Sequence, residues 1–306
     1  MEKRRLGQSD LLISKIGLGC MSLGTEKHQA QKIIEAALEE GINYFDTADL
    51  YDFGVNESIV GESLKHVREE VVIATKVGNR FNDLSDGWRW DPSKAYIKDA
   101  VKDSLKRLQT DYIDLYQLHG GTIDDPIDET IEAFQELKKE GYIKEYGISS
   151  IRPNVIKRYL ESSSIVSIMM QYSLLDRRPE EFSEFIKDHG ASIVARGPLA
   201  KGLLSVKMLE KASEKMKING YLDYSFKELE EAITEIHAKL GDKRSMNEIS
   251  LQFNLMDDAV GAVIPGASSI EQLRENVRAV NQPSLSQEEY TLLKELTKAS
   301  KYEQHR

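Results

Sequence analysis

The chain alternates short apolar runs with segments of helical periodicity, from Ile16 almost to its end. The alternation occurs eight times, which is typical of parallel strands joined by crossover helices. Most of the apolar runs lack the period of two expected of a half-exposed strand, which favours strands covered on both faces. The predicted strands are 16–20, 42–46, 71–75, 113–118, 145–149, 165–170, 192–195 and 261–265.

The segments between these strands have apolar stripes at helical spacing and recognisable end signals. The first stripe runs from Ala30 to Leu38, and Gly41 behind it favours a helix end. Comparable stripes start at Tyr96, Ile127 and Phe182. Two helices, 226–240 and 245–256, are predicted between the seventh and eighth strands, and a last helix is predicted at 286–300. The segments 245–248 and 286–289 both have the Ser-x-x-Glu pattern of a capping box.

Eight strand–helix units in 306 residues match the size of an α/β fold of the (β/α)8, or TIM-barrel, class. We therefore predict one domain over residues 1–306, with extra helices between the seventh and eighth strands and at the C-terminus. The N-terminal segment "RRLGQSDLLISK" precedes the first barrel strand and is predicted to form a β-hairpin that caps the bottom of the barrel.

Composition and charge narrow the possible classes of function. Hydrophobic residues at 40% and charged residues at 30% fit a globular protein, and the net charge of −10 disfavours binding to nucleic acid. The sequence has neither a signal-peptide pattern nor a run of about 18 apolar residues, so we expect a cytoplasmic protein without a membrane partner. Cys20 is the only cysteine and the six histidines lack metal-ligand spacing, so we expect no metal site.

Polar side chains stand at the ends of three consecutive predicted strands, where a barrel of this class places its chemistry. The second strand ends in Asp46 with Tyr51 five residues later, the third ends at Lys76, and the fourth ends at His119. Each residue alone has an ordinary structural explanation, such as a solvated lysine, an interior histidine, a capping aspartate or a rim aromatic. Their joint placement at neighbouring strand ends favours a common site.

These four residue types together can transfer a proton. A tyrosine has an unperturbed pKa of about 10, and an adjacent ammonium favours the phenolate, which makes the hydroxyl a better acid. Lys76 is the ammonium in this hypothesis, and Asp46 is the carboxylate that keeps a buried lysine cationic. A neutral imidazole at His119 can donate a hydrogen bond to a carbonyl oxygen and orient it toward Tyr51.

The chain resembles the aldo-keto reductase superfamily over nearly its whole length, in the manner of the bacterial long-chain, NADPH-dependent oxidoreductases. The motifs that carry the resemblance occur in order: "GLGCMSLG" (17–24), "FDTADLY" (45–51), "NESIVGESL" (56–64), "IATKVG" (73–78), "DYIDLYQLHG" (111–120), "GISS" (147–150), "QYSLL" (171–175) and "IPGASSIEQLREN" (264–276). The resemblance implies a (β/α)8 barrel that holds a nicotinamide cofactor without a Rossmann domain and reduces aldehydes or ketones to alcohols by hydride transfer. It also implies Asp46, Tyr51, Lys76 and His119 as the catalytic set, with Tyr51 as the general acid.

The resemblance also implies a set of cofactor residues. Relatives hold the carboxamide with a Ser-Asn pair after the fifth strand and a Gln after the sixth, here Ser149, Gln171 and, in place of the Asn, Ser150. The expected set is Gly19, Met21, Asp46, Ser149, Ser150, Gln171, Arg196, Gly197, Pro198, Leu199, Lys201, Gly202, Gly266, Ser268, Gln272 and Asn276. NADPH is favoured over NADH. Many relatives carry Arg or Lys where Ser268 stands, and Arg274 is the alternative cation.

Ser268, Gln272 and Asn276 have the spacing of one helix face, at a helix N-terminus that favours anions. The structural alternative is that Ser268 and Ser269 serve only as helix caps. Arg196 departs most from the family pattern, because relatives usually carry an aromatic residue here that stacks on the nicotinamide ring. A planar guanidinium can stack in its place. The alternative is that Arg196 reaches a phosphate or an acidic residue.

The resemblance leaves the carbonyl substrate open. The expected substrate pocket consists of Met21, Tyr51, Phe53, Phe81, Trp88, Trp90 and His119, and the alternative for its aromatic residues is packing between loops. We expect a small aldehyde or ketone as the substrate and a monomer or weak homo-oligomer as the assembly.

Two competing functions remain. A Rossmann dehydrogenase would explain "GLGCMS" after a strand, but Ser22 occupies the third fingerprint position and the helix is predicted to begin only after Thr25. A cofactor-binding redox sensor or accessory subunit with little turnover is the second alternative, and the intact set of four residues argues against it.

Overall fold

The computed structural model describes residues 1–81, 87–204 and 212–306. Its central feature is a sheet of eight parallel strands in sequence order. Parallel bridges from Ile16 to Val263 and from Gly19 to Gly266 join the first strand to the last and close the barrel. The barrel strands are β1 Leu18–Gly19, β2 Tyr44–Asp46, β3 Val72–Val77, β4 Ile113–Leu118, β5 Ile143–Ser149, β6 Ser167–Gln171, β7 Ser192–Arg196 and β8 Val260–Ile264. The predicted barrel is confirmed.

Helices surround this barrel, and most begin where the apolar stripes predicted them. The described α-helices are Lys27–Glu39, Val55–Leu64, Lys94–Leu108, Ile127–Lys139, Pro153–Ser162, Ser183–Asp188, Glu214–Asn219, Phe226–Leu240, Met246–Leu255, Ile270–Asn281 and Gln287–Leu296. Shorter 3-10 turns cover Cys20–Leu23, Tyr51–Gly54, Lys65–Glu70, Arg178–Glu181 and Ala200–Gly202. None of the helices within the three described stretches of chain is long and apolar enough to cross a membrane.

The last helix is shorter than the predicted 286–300. It ends at Leu296, because Thr297 has extended backbone (φ −126°, ψ 153°) and its side chain caps the Leu293 carbonyl at 2.7 Å. The tail beyond it then runs over the barrel, where the buried Tyr302 ring lies 6.2 Å from the Phe182 ring. The tail is therefore anchored by packing and by hydrogen bonds rather than by further helix.

The predicted caps are present in different degrees. Ser225 and Ser286 form complete capping boxes with the glutamate three residues later. Ser245 accepts a hydrogen bond from the Glu248 amide, but the Glu248 carboxylate pairs with Arg244 at 2.6 Å instead of closing the box. The ion pair thus replaces the second half of the capping box.

An N-terminal hairpin of Lys3–Arg5 and Leu12–Ser14 closes the bottom of the barrel, as predicted. Its apolar residues Leu6, Leu11 and Ile13 join the buried cluster that fills the barrel interior. The Gly7 amide, at a φ of +54°, donates to Ser192 Oγ at 2.8 Å, directly at the start of β7. Because the hairpin plugs this end, only the end where the strands have their carboxyl termini remains for a site.

A second small hairpin, which the sequence did not predict, follows β3. Asn79–Arg80 pairs antiparallel with Arg89–Trp90. The Trp90 indole packs so closely against Gly78 that a Cβ on that residue would lie 2.6 Å from the ring. The indole nitrogen donates to Asp125 at 2.9 Å. This hairpin places an aromatic wall beside the carboxyl ends of β3 and β4.

Candidate active site

The centre of the site is a buried ion pair between neighbouring strands. Asp46 ends β2 and Lys76 lies in β3, and both side chains point into the barrel, where Lys76 is fully buried. The Lys76 ammonium donates to Asp46 Oδ2 at 2.7 Å, to the Thr47 carbonyl at 2.7 Å and to the Tyr51 hydroxyl at 3.3 Å. Three acceptors match the three protons of an ammonium group, so this geometry stabilises Lys76 as a cation.

Opposing effects set the protonation of this pair. Burial on its own would lower the pKa of Lys76, but Asp46 and Tyr51 outweigh burial and leave that pKa above its ordinary value. Burial raises the pKa of Asp46, and the Lys76 ammonium opposes that rise. The charge of each partner therefore depends on the other.

Tyr51 reaches the ion pair from the 3-10 turn Tyr51–Gly54, which follows β2. The turn reverses the chain sharply because Asp52 (φ 49°) and Phe53 (φ 51°) both have left-handed backbone, a conformation that is uncommon for residues other than glycine. Backbone strain of this kind is frequent at functional sites. The turn directs the Tyr51 hydroxyl to Lys76 and its ring to His119.

His119 follows β4 and contacts Tyr51 edge-to-face, with ring centroids 5.9 Å apart. Its backbone amide donates to the Val77 carbonyl at 2.7 Å, which extends the β3–β4 pairing to the site. Burial, followed by the charges of Lys76 and Arg196, lowers the pKa of the imidazole to about 3. His119 is therefore neutral near pH 7. The structure thus brings together all four residues that the sequence placed in one site.

A cavity of about 390 Å³ opens beside the carboxyl ends of β7 and β8. Its lining includes half of the predicted cofactor set, namely Gly197, Pro198, Leu199, Gly202, Gly266, Ser268, Gln272 and Asn276. The helix Ile270–Asn281 points its N-terminus into this region, with hydroxyl, amide and carboxylate groups around it. The hydroxyl and amide groups can donate to phosphate oxygens, and the carboxylate can only accept, as from an adenine amino group.

Several details of this cavity differ from the prediction. Ser268 precedes the helix, which begins at Ile270, and Ser269 is the residue that caps it. The Gln272 side chain accepts hydrogen bonds from the Ser268 amide and hydroxyl at 3.0 and 3.1 Å. Arg274, the alternative cation, is not among the described lining residues of this cavity and forms ion pairs with Glu39 and Glu40 at the end of the first helix. Its role toward a 2′-phosphate stays a prediction.

Five further residues line the same cavity and were not predicted as cofactor residues, namely Ser22, Ser245, Asn247, Pro265 and Glu275. Asn247 donates to Asn276 at 3.0 Å and so fixes a predicted residue. Ser22 accepts from the Ala267 amide and donates to the Gly19 carbonyl, both at 3.0 Å, which ties β1 to the loop after β8. Capping alone accounts for the Ser-x-x-Glu pattern at 245–248, so the sequence does not indicate that Ser245 and Asn247 also line a cavity.

The predicted carboxamide residues lie at the ends of β5 and β6. Gln171 donates to the Tyr221 hydroxyl at 3.0 Å, and Tyr221 was not predicted. The Ser150 hydroxyl accepts from the Arg152 amide at 3.3 Å, while Ser149 is partly exposed at the end of β5. Gly19 and Met21 lie at the end of β1, and the Met21 side chain is exposed. The side chain of Lys201 lies outside the part that the structure describes.

Arg196 ends β7 beside Gln171 and Ile264 on the neighbouring strands, and its side chain is exposed. The Arg196 side chain forms no hydrogen bond or ion pair within the described residues, so no acidic residue among them binds it. Its charge nevertheless acts on the pKa values of His119 and Asp46, which places it close to the centre of the site.

The predicted pocket aromatics form two groups. Phe53 and Phe81 pack edge-to-face with ring centroids 5.4 Å apart, and Phe81 also lines a separate cavity of about 380 Å³ with Asp49 and Tyr96. Trp90 covers Gly78 and Gly120 beside His119, whereas Trp88 is exposed at the rim. Trp90 therefore packs against glycines that adjoin the tetrad of Asp46, Tyr51, Lys76 and His119.

The sequence model of the Aldo/keto reductase family matches residues 15–298. The chain belongs to this family. The oxidoreductase YqkF of Bacillus subtilis (strain 168), described as uncharacterized, is 62% identical over 306 residues, which is 100% of each chain. The NADH-specific methylglyoxal reductase of Escherichia coli (strain K12) is 32% identical over 98% of this chain and 99% of its own.

Among solved structures, the holo form of aldo-keto reductase AKR11C1 from Bacillus halodurans superposes with a TM-score of 0.94 and 58% sequence identity, covering 100% of this chain and 99% of its own. This aldo/keto reductase is thus an oxidoreductase, and its family acts on small carbonyl compounds with a nicotinamide cofactor. The predicted resemblance is confirmed.

The imidazole of His119 provides a direct test of the site's electrostatics. With a pKa of about 3, its ring signals in histidine-labelled NMR spectra should not titrate between about pH 5 and 8, in contrast to an unperturbed histidine. Comparison with a His119→Gln variant assigns the signal. A titration midpoint near 6.5 for this signal would contradict the effect of burial and of the nearby cations on the His119 pKa.

Proposed function

We propose that this aldo/keto reductase reduces an aldehyde or ketone to an alcohol, with Tyr51 as the general acid. The observation that supports this most directly is the Lys76 ammonium, which contacts the Asp46 carboxylate and the Tyr51 hydroxyl at the same time. A buried ammonium held against a phenol is an arrangement for moving the phenolic proton.

The proposed reaction balances with one hydride and one proton. The nicotinamide cofactor supplies, when bound, the hydride that adds to the carbonyl carbon. Tyr51 gives its proton to the carbonyl oxygen, which becomes the hydroxyl of the alcohol, and the resulting phenolate is stabilised by Lys76 at 3.3 Å. The neutral imidazole of His119 donates a hydrogen bond that orients the carbonyl oxygen toward Tyr51. Asp46 holds Lys76 in place and keeps it charged.

We assign the cavity beside β7 and β8 to the adenosine and phosphate end of the cofactor, and Ser149, Ser150 and Gln171 to its carboxamide. We further propose a preference for NADPH over NADH, with the 2′-phosphate at Ser268 and the N-terminus of the helix Ile270–Asn281. The described lining of this cavity contains no lysine or arginine side chain, so the preference rests on hydroxyl and amide donors and should be modest.

We also propose a small apolar carbonyl compound as the substrate, bound between Met21, Phe53, Trp88 and Trp90 next to Tyr51 and His119. The remaining assignments are one domain over residues 1–306, a cytoplasmic location and a monomer or weak homo-oligomer. A panel that contains 4-nitrobenzaldehyde and methylglyoxal is a suitable first screen for turnover.

The cofactor preference can be tested at Ser268. Ser268→Arg adds a guanidinium at the proposed 2′-phosphate position, where a charge-assisted pair should tighten NADPH by about tenfold and leave NADH nearly unchanged. Fluorescence titration of both reduced cofactors measures the effect without turnover. Ser300→Arg, on the tail away from this cavity, is the matched control. Equal changes for the two cofactors would place the 2′-phosphate elsewhere.

The acid role can be tested by removing the Tyr51 hydroxyl. Tyr51→Phe should leave cofactor affinity intact and lower kcat by about 10²–10⁴, the usual contribution of a general acid. Tyr159→Phe, which removes another buried hydroxyl in the outer helix layer, should retain kcat. Lys76→Met should also lower kcat, and less than additively with Tyr51→Phe if the two act as one unit. Near-normal turnover of Tyr51→Phe would remove Tyr51 from the mechanism.

The same assay separates the enzyme from the redox-sensor alternative. Tight cofactor binding without turnover of any carbonyl compound in the panel would favour the sensor.

We propose that Arg196 stacks on the nicotinamide ring through its planar guanidinium. Its free, exposed side chain at the end of β7 supports this, as does the lack of an acidic partner among the described residues. The oxidised ring is cationic and the reduced ring is neutral, so Arg196 should disfavour the oxidised cofactor. A residual repulsion of about 1 kcal/mol corresponds to about fivefold in the dissociation constant.

Arg196→Tyr keeps a planar side chain and removes the charge. The ratio of the NADP+ to the NADPH dissociation constant should therefore fall severalfold in the variant, because only binding of the cationic ring is relieved. Equilibrium titration with both cofactors gives this ratio. An unchanged ratio would assign Arg196 to another contact.

A further inference from the structure

Three buried polar side chains in the barrel, those of Tyr44, Asp46 and Gln117, each have at least one polar atom without a hydrogen-bond partner in the described part of the chain. Tyr44 and Asp46 are two residues apart in β2 and therefore point to the same side of the strand. Gln117 lies in β4, where it is the register partner of Lys76 in β3. Tyr44 and Gln117 are fully buried, and Asp46 is 4% exposed. None of the roles assigned above uses Tyr44 or Gln117.

The hydrogen-bonding capacities of these groups are complementary. Asp46 Oδ2 binds Lys76, whereas its Oδ1 has no partner in the described part of the chain. The Tyr44 hydroxyl and both polar atoms of the Gln117 amide are likewise without a completed hydrogen bond there. A phenol and a primary amide supply three donor protons, and a carboxylate oxygen accepts two. Leaving such groups unpaired in a protein interior is costly.

Proximity supports this pairing. The Gln117 amide lies near enough to the Asp46 carboxyl to lower its pKa, although the hydrogen bond is not closed in geometry. A small side-chain rotation would close this hydrogen bond. Burial, followed by the charge of Asp46, raises the pKa of Tyr44 well above its ordinary value, so Tyr44 remains a neutral donor.

We propose that Gln117 and Tyr44 are positioning residues for the proposed reaction, which donate hydrogen bonds to Asp46 Oδ1 and thereby keep Asp46 ionised and Lys76 protonated. This inference rests on the function proposed for the tetrad. It connects two interior side chains of β2 and β4 to the proposed reaction through Asp46.

The other charged or titratable groups that act on Asp46 are Lys76 from β3, Arg196 from β7 and Cys20 from the turn after β1. Tyr51 and His119 both interact with Lys76 on its far side. Burial raises the pKa of the Cys20 thiol, so the thiol is neutral. Lys76 and Arg196 favour the Asp46 carboxylate whether or not Gln117 is present, so a substitution of Gln117 changes only the hydrogen bonding to Asp46.

The direction of the expected pH effect follows from the donor role. Hydrogen bonds to the carboxylate lower the pKa of Asp46, and their removal raises it. The proposed reaction requires ionised Asp46. As the pH falls, a variant in which residue 117 cannot donate should therefore lose activity at a higher pH than the wild type does. We expect the acidic limb of kcat to move up by about one pH unit.

Gln117→Met tests this, because methionine is similar in length and cannot donate. The acidic limb should rise, while kcat on the plateau changes little and the dissociation constant of the cofactor is unchanged. Asn254→Met is the matched control, since Asn254 is another fully buried amide without a completed hydrogen bond, in an outer helix. Both variants can change the melting temperature, but only Gln117→Met should move the pH profile. Tyr44→Phe should also move the acidic limb to higher pH. Gln117→Asn retains an amide donor and should move the limb less than Gln117→Met does.

A second measurement does not depend on turnover. Infrared difference spectra of the cofactor-free protein, with Asp46→Asn to assign the carboxyl band, give the protonation midpoint of Asp46 directly. A higher midpoint in Gln117→Met than in the wild type supports the inference even if no carbonyl substrate is turned over, a result that would contradict only the proposed function. An unchanged midpoint, or an equal shift in Asn254→Met, would overturn the inference.

Discussion

The buried ion pair of Lys76 and Asp46 is the interaction on which the site depends. Removing two charges from water costs several kcal/mol per ion unless geometry and further hydrogen bonds compensate. Here the ammonium satisfies all three of its protons, on Asp46, the Thr47 carbonyl and Tyr51. The Tyr51 hydroxyl, the proposed general acid, is therefore one of the groups that stabilise the buried lysine. The contact between Lys76 and Tyr51 thus both positions Tyr51 and stabilises the buried charge.

The barrel provides the conditions for this pair. Asp46 and Lys76 project inward from adjacent strands, and the N-terminal hairpin fills the opposite end with Leu6, Leu11 and Ile13. The interior is thus apolar at the bottom and polar toward the carboxyl ends of the strands. Burial, followed by the positive charges of Lys76 and Arg196, also explains the neutral imidazole of His119, whose pKa is lowered. An open site in water would give these groups pKa values close to their unperturbed ones.

The proposed cofactor cavity depends on contacts between segments far apart in sequence. Ser22 after β1 bonds the segment after β8, and Asn247 fixes Asn276 from a helix inserted between β7 and β8. A Cβ on Gly266 would lie 2.9 Å from the Ser22 hydroxyl, so the two loops approach as closely as a glycine permits. A substitution in either loop should therefore shift the position of the other, even though only one of the two loops lies in the predicted adenosine motif.

The sequence by itself determined the eight strand–helix units and the four residues of the tetrad, because apolar periodicity is local and a barrel of this class places strand ends at one rim. It could not determine the capture of Arg274 by Glu39 and Glu40, the role of Ser245 and Asn247 in a cavity, or the end of the last helix at Leu296. Nor did it indicate that the Gln117 amide lies close to Asp46. These features depend on which side chains meet across the closed barrel and its outer helices, and such distances are set only when non-local packing fixes the register and orientation of every element.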